Sequence, residues 1–260
     1  MRWLKNGVEV SREDFTVDAA DPGVTVGLNA FETLRTYGGV PFRAARHFER
    51  LRGSAQALGL AWPGDAVLDD ELAAIVQGLP AELGIRVLLT AGGARLLQAT
   101  PLDMSMVQKP LVVVTLPYEP PSWLDGRAKH GSRAISEVAR RVHSVDEVFW
   151  VGRDGSLTEA TRSSIFAVVD GVLVTPPDDG RILAGVTREA LLEVALPLGI
   201  PIREGPIRPD APFEELYASS TLKELAPVVR LDGRQLPQGG TIGQALVGAF
   251  RELVVRECSA

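Results

Sequence analysis

The segment Tyr118-Glu-Pro-Pro-Ser-Trp-Leu-Asp-Gly126 constrains this chain more than any other, because its prolines and glycine interrupt helical and strand periodicity alike. On either side of it the pattern is regular. Before it, Phe31–Tyr37 and Val40–Arg43 flank Gly38-Gly39 as a hairpin. Phe48, Leu51, Ala55 and Leu58 then keep helical spacing up to a stop at Gly59, and a second amphipathic stretch covers 68–78. Strands are expected at Ile85–Thr90 and Leu111–Leu116. After the break, strands at Glu147–Val151, Ile165–Val169 and Val172–Thr175 alternate with three helices. One of these carries Ile135, Val138, Ala139 and Val142 on a face, one begins near Thr187, and the last runs from Thr241. Two domains follow from this: a small N-terminal α/β domain over 1–118, a linker over 119–128 and a larger C-terminal domain over 129–260.

Composition narrows the function classes. A net charge of -6 in 260 residues argues against a protein built to grip a phosphate backbone, so no nucleic-acid partner is expected. No apolar run approaches the roughly 20 residues of a membrane helix. The opening Met1–Gly7 enters a strand-and-turn pattern with no secretory apolar core, and a cytoplasmic protein is expected. The single cysteine, Cys258, rules out an internal disulfide and a paired-cysteine metal motif, so no metal is expected. Basic residues are nearly all arginine. Chemistry that needs a lysine amine has four candidates: Lys5, Lys109, Lys129 and Lys223.

Five places could carry chemistry. In Leu183-Ala-Gly185-Val186-Thr187-Arg188 a glycine precedes a helix start, where unpaired amides and the positive end of the dipole welcome an anion. Alone, Thr187 reads as an ordinary N-cap. Ser219-Ser220-Thr221 can present hydroxyls to a phosphate, or fill a turn. Arg50 sits at the edge of a helix face, as a phosphate clamp or a surface charge. Lys129 follows the proline-rich break, at a junction where ligands are favoured, and a lysine amine can act as a nucleophile. Glu159 lies between a turn and a strand, and a carboxylate there could hold a proton on a pyridine nitrogen or simply face solvent.

The order of these pieces is more telling than any one of them. Gly27-Leu-Asn-Ala-Phe31-Glu32-Thr33-Leu34-Arg35, His47-x-x-Arg50-Leu51-x-x-Ser54-Ala55, Arg86-x-x-x-Thr90 and Lys129 are followed by Glu159-x-x-x-Ser163-Ser164-Ile165-Phe166 and Thr175-Pro176-Pro177. Leu183-x-Gly185-Val186-Thr187-Arg188, Ser220-Thr221 and Pro227-Val228 close the series. Along nearly its whole length the chain thus resembles the class IV aminotransferases. The resemblance implies the two-domain α+β or α/β fold of type IV, like that of D-amino-acid aminotransferase, a homodimer, and pyridoxal 5'-phosphate as cofactor. It makes 129–260 the cofactor-binding domain. It implies that Lys129 is the cofactor-bearing catalytic lysine and that Glu159 partners the pyridine nitrogen. Leu183 would pack on the ring, and Arg50, Gly185, Val186, Thr187, Ser220 and Thr221 would form the phosphate cup. Two departures, Leu28-Asn29-Ala30 and Ser164, fall where the family often has Gly-Asp-Gly and asparagine; they touch the substrate side.

Within the family three activities compete for a small amino substrate. Branched-chain aminotransferases carry a tyrosine five positions after the lysine, where this chain has Ala134, and are usually longer. D-amino-acid aminotransferases use an arginine and a histidine in the loop after the Thr90 strand; here the loop holds Arg95 and no histidine. Lys129-His130-x-x-Arg133, Ser220-Thr221-Leu222-Lys223 and the compact length look more like 4-amino-4-deoxychorismate lyase, which releases pyruvate and 4-aminobenzoate for folate synthesis. The resemblance therefore points first to the lyase, with the transaminases as alternatives and a cofactor-free binding or structural homologue as a remote one. Phe31, Arg95 and Arg133 are its candidate substrate residues.

Overall fold

The computed structural model describes residues 1–259 and divides them between two compact units. The first unit takes in Met1–Leu102 together with Arg127–Arg133 and the chain from Val254. Its strands are β1 (Arg2–Lys5), β2 (Val8–Glu9), β3 (Asn29–Tyr37), β4 (Val40–Pro41), β5 (Leu83–Thr90) and β6 (Arg95–Pro101). They form one antiparallel sheet in the order β2-β1-β6-β5-β3-β4. A single turn, α1 (Pro22–Thr25), leads into β3, and α2 (Ala44–Ala57) and α3 (Asp65–Val76) follow β4.

Alternation assigns each strand residue a face. Ala30, Glu32 and Leu34 pair with Leu89, Val87 and Ile85 of β5. Those three pair in turn with Arg95, Leu97 and Ala99 of β6. The apolar members of this set pack with Phe48, Leu51, Leu68, Leu72 and Ile75 of α2 and α3. Leu34, Leu51, Leu68, Ile75, Ile85 and Leu97 have 0% exposure; each such side chain contributes roughly 1.5–3 kcal/mol relative to leaving it in water. Phe31, Thr33, Arg86 and Leu88 belong to the opposite face.

The second unit comprises Asp103–Gly126 and Ala134–Leu253. A single 3-10 turn at Met104–Met106 opens it. Its helices are α4 (Ala134–His143), α5 (Val186–Ala195) and α6 (Thr241–Cys258), the last turn of α6 counting with the first unit. Its strands are β7 (Leu111–Pro117), β8 (Glu147–Val151), β9 (Leu157–Ala160), β10 (Ser164–Val169), β11 (Val172–Thr175), β12 (Ile202–Glu204), β13 (Glu215–Ser220), β14 (Glu224–Leu231) and β15 (Arg234–Gln235). They run in the order β12-β11-β10-β13-β14-β7-β8-β9, with β15 on β14. The β7–β8 and β11–β12 pairs are parallel, as a helical crossover allows: α4 links the first pair and α5 the second. Phe149, Leu157, Ile165, Ala167, Val174, Leu216 and Ala218 centre its core.

The unit boundaries differ from the division at 118 and 129. Because β7 pairs with β8 and β14, the chain from Asp103 joins the second sheet. The proline-rich segment stays there too, the Gly126 N–H donating to Gly180 O at 2.9 Å. Lys129 instead pairs into the first unit. The helix read from Ile135, Val138 and Val142 forms as expected, yet these side chains are 54%, 57% and 72% exposed. Among the described residues no helix is long and apolar enough to cross a membrane.

Candidate active site

Lys129 is placed by hydrogen bonds on both sides. Its C=O accepts from the Phe31 N–H at 3.1 Å, and the Gly131 N–H donates to Asn29 O at 3.1 Å. Residues 129–131 thus add a short antiparallel bridge beside β3, with His130 opposite Ala30. Asn29 takes part as well, its side-chain amide donating to Gly23 O at 2.9 Å. The Lys129 N–H donates to the Ser54 hydroxyl at 2.9 Å, and that hydroxyl donates to the Arg50 carbonyl at 2.8 Å. Ser54 therefore ties the lysine to α2. With Lys129 opposite Phe31, the two side chains share a side, and Lys129 Nζ lies 4.9 Å from the centre of the Phe31 ring.

Arg50 is held by a carboxylate from β3, in the Gly27–Arg35 motif, whose role sequence alone does not reveal. Glu32, with 0% exposure, accepts from Arg50 Nε at 2.7 Å and Nη2 at 2.8 Å, and lies 2.8 Å from His47 Nδ1. Burial alone would raise the Glu32 carboxyl, but the Arg50 charge and hydrogen bonds, with His47 behind them, hold it far below the usual carboxylate range. His47 is lowered, first by burial and further by the Arg50 and Lys129 charges, against the pull of Glu32. A neutral imidazole and an ionised Glu32 follow. Arg50 is oriented by its partner rather than left as a surface charge.

Three cations surround the Phe31 ring: Arg86 Cζ at 4.1 Å, Lys129 Nζ at 4.9 Å and Arg133 Cζ at 5.9 Å from its centre. Arg133, a candidate substrate residue from the sequence, is one of the three. Arg86 stands in the Arg86-x-x-x-Thr90 motif; its signal in the sequence is a charge inside the apolar run Ile85-Arg-Val-Leu-Leu, on the strand face shared with Phe31. Arg95 is a correction. It belongs to the opposite face, and its Nε donates to both Glu71 oxygens at 2.7 and 2.6 Å, so it supports α3 and leaves the substrate set. Thr90 also has a local duty, donating to Asp21 at 2.5 Å.

In the second unit, Glu159 sits half-buried on β9 and accepts from the Leu183 N–H at 3.2 Å. Leu183 begins the approach to α5, whose N-cap Gly185 has no side-chain cap, leaving the Val186 and Thr187 amides at an open helix start. A Cβ on Gly185 would meet Ser164 Oγ at 2.8 Å, so any larger residue there must displace the Ser164 hydroxyl. Ser164 pairs with Ser219 across β10 and β13. The Ser219 hydroxyl is buried with no hydrogen-bond partner among the described residues. An orphaned hydroxyl, a glycine cradle and uncapped amides fit a bound phosphate group. Ser220 ends β13, and its carbonyl accepts from the Lys223 N–H at 3.2 Å across a turn that contains Thr221. Buried Glu147 braces both neighbourhoods: it accepts from the Thr161 hydroxyl and from Ser163 at 3.0 Å, and pairs with Lys223 at 3.4 Å.

Comparison with known proteins identifies the family and the fold. The family described as amino-transferase class IV matches residues 29–231. A D-alanine aminotransferase of Listeria monocytogenes is 30% identical over 289 residues, covering 99% of this chain and 98% of that protein. The crystal structure of a branched-chain aminotransferase from Thermoproteus uzoniensis, with norvaline, superposes with a TM-score of 0.87 at 26% identity, covering 99% of this chain and 95% of that one. A PLP-bound hypothetical aminotransferase from Mycobacterium tuberculosis shares the fold with a TM-score of 0.87 at 22% identity, over 97% of this chain and 99% of its own.

Proposed function

Because the chain belongs to the class IV aminotransferase family, whose enzymes use pyridoxal 5'-phosphate, we propose that it is a transaminase for a carboxylate-bearing amine, with D-amino acids the leading donors. The observation that carries this reading is the Phe31 ring with Lys129, Arg86 and Arg133 around it. Guanidinium groups take carboxylates in bidentate fashion. A branched aliphatic side chain calls for an apolar pocket, and two arginines make a poor one. The branched-chain alternative therefore ranks below the D-amino-acid one.

The residues that the family resemblance assigns to holding the cofactor are Lys129, Arg50, Glu159, Leu183, Gly185, Val186, Thr187, Ser220 and Thr221. When bound, the cofactor supplies a ring that accepts charge from the substrate carbon bearing nitrogen. The protein's own groups would do the rest. Lys129 Nζ would hold the cofactor and take the proton from that carbon. The Glu159 carboxylate would keep a proton on the ring nitrogen. Arg50 and the Val186 and Thr187 amides would receive the phosphate.

The test is to load the protein with pyridoxal phosphate, offer D-alanine, D-glutamate and L-leucine with a keto-acid acceptor, and measure keto-acid formation. Turnover of the D-amino acids ahead of L-leucine is expected. A cofactor-loaded protein that turns over none of them overturns the reading. The lyase stands second, favoured by Arg133 beside Phe31 in Lys129-His130-x-x-Arg133, and pyruvate release from 4-amino-4-deoxychorismate would install it. We also propose a homodimer in the cytoplasm. The apolar stripe of Ile135, Val138 and Val142 on α4 supports the dimer, and charged substitutions there should yield a monomer in sedimentation.

A further inference from the structure

Glu159 stands where the β8–β9 ladder loses its register. Phe149 pairs with Ala160 and Val151 with Leu157, so two steps along β8 face three along β9, and the extra residue falls at Thr158–Glu159. A bulge of this kind re-aims a side chain and interrupts the pairing that would otherwise fix its direction. The chain must therefore be held on either side of it. Before Glu159, the Thr158 hydroxyl donates to Trp150 O at 3.3 Å. After it, the turn from Ala160 to Ser163 is closed by the Ala160 N–H donating to Ser163 O at 2.9 Å and the Thr161 N–H to Val148 O at 3.0 Å.

One carboxylate fastens that turn to the sheet. Glu147, at the start of β8, has 0% exposure. One of its oxygens accepts from the Thr161 hydroxyl and the other from the Ser163 hydroxyl, the latter at 3.0 Å. Thr161 and Ser163 are buried as well, so water cannot stand in for the carboxylate. Lys223 Nζ, 3.4 Å away, supplies the counter-charge from the turn that contains Thr221. A buried ion pair contributes little to stability that a well-packed apolar pair of similar volume would not. What the carboxylate adds is direction, since its two oxygens fix the two hydroxyls that flank Arg162. We propose that Glu147 is a positioning residue, which sets the aim of the Glu159 carboxylate through the Ala160–Ser163 turn. Its bond to Lys223 ties the same turn to the segment that holds Ser220 and Thr221. This role deepens the proposed function and rests on Glu159 being the partner of the ring nitrogen.

The test is a double-substitution cycle of Glu147→Gln and Glu159→Gln in the cofactor-loaded enzyme. Glutamine keeps the volume of Glu147 but has one acceptor oxygen where the carboxylate has two. Two signals are read: loss of label from the substrate carbon, and the nitrogen-15 resonance of labelled pyridoxal phosphate, which reports the proton on the ring nitrogen. Glu147→Gln alone should slow label loss about tenfold and move the resonance toward the unprotonated position. Beside Glu159→Gln it should change neither further, because its effect runs through Glu159. A Glu147 that only stabilises the fold would slow both backgrounds alike, and that additivity, or an unaltered single variant, overturns the proposal. In the cofactor-free protein the Leu183 N–H, which donates to Glu159 at 3.2 Å, should exchange severalfold faster in Glu147→Gln; equal exchange is also refutation. If Glu147→Gln does not fold, Thr161→Val takes its place in the cycle with the same expectations. A parent that takes up no cofactor, or whose bound ring nitrogen carries no proton, fails the role given to Glu159 instead. Exchange at Leu183 then still decides whether Glu147 aims that carboxylate.

Discussion

Replacing Glu32 with glutamine exchanges one heavy atom and should cost the first unit much of its stability. The side chain keeps its shape and can still accept one bond from Arg50 or His47. What disappears is the negative charge that faces Arg50 at 2.7 and 2.8 Å. The Arg50 side chain is only 10% exposed, so water cannot replace that partner. Removing one member of a buried pair costs 3–5 kcal/mol, and the bond retained by glutamine sets the expectation at the lower end, about 3 kcal/mol. For a chain of this length that lowers the melting temperature by roughly 6–12 °C. Thermal unfolding of parent and variant, each with and without pyridoxal phosphate, provides the assay. The bound phosphate should give Arg50 a new counter-charge, so the gap between parent and variant should narrow when cofactor is present. A variant that melts within about 2 °C of the parent without cofactor would refute the reasoning, since a harmless surface change does no more. A gap that does not narrow on loading would remove Arg50 from the phosphate site.

Four further outcomes are expected. Lys129→Ala should take up cofactor that borohydride cannot fix to the chain; a fixed adduct in that variant would point to Lys5, Lys109 or Lys223. Glu159→Gln should retain the cofactor and slow substrate deprotonation on the order of a hundredfold, measured by loss of label from the substrate carbon; an unchanged rate removes it from the ring nitrogen. Gly185→Ala drives a Cβ to 2.8 Å from Ser164 Oγ and should weaken cofactor binding, while Gly185→Ala paired with Ser164→Gly should recover it in a titration. Acid should destabilise the protein in two stages. His47 and His130 are lowered, so their contribution is full above 6.5 and is lost as pH falls and the unfolded chain takes protons first. Glu32 is lowered too, so its share is present above 4.5 and is lost below it. Denaturant titrations that show no loss between about pH 7 and pH 5 contradict the first stage.

The sequence revealed elements better than it revealed faces. Period-3.6 spacing located α2, α5 and α6, and the Gly38-Gly39 turn located the β3–β4 hairpin. Burial was harder. The Ile135, Val138 and Val142 stripe has the spacing of a core helix, and spacing is identical whether the partner is the same chain or another. Arg95 and Arg86 reverse for a related reason. Both lie in or near the loop that sequence reasoning searched for an anion binder, and only register shows that Arg95 meets Glu71 while Arg86 shares a side with Phe31. Glu32 and Ser54 stood in the quoted motifs, but their work is to hold Arg50 and Lys129, and such support depends on neighbours distant in sequence. Glu147, which braces the chain beyond Glu159, carried no local signal at all.

The bridge between His130 and Ala30 has a consequence for how the protein comes into being. It closes a loop of roughly 100 residues, an entropic cost met only once β3 and its neighbours have formed. During synthesis the first 102 residues can therefore lay down most of a sheet and its helices before the reactive amine has emerged. The lysine reaches its position afterwards, by pairing with an edge already waiting for it. On the proposed function, capture of the cofactor at that amine would then be a late event in maturation, following assembly of the N-terminal sheet.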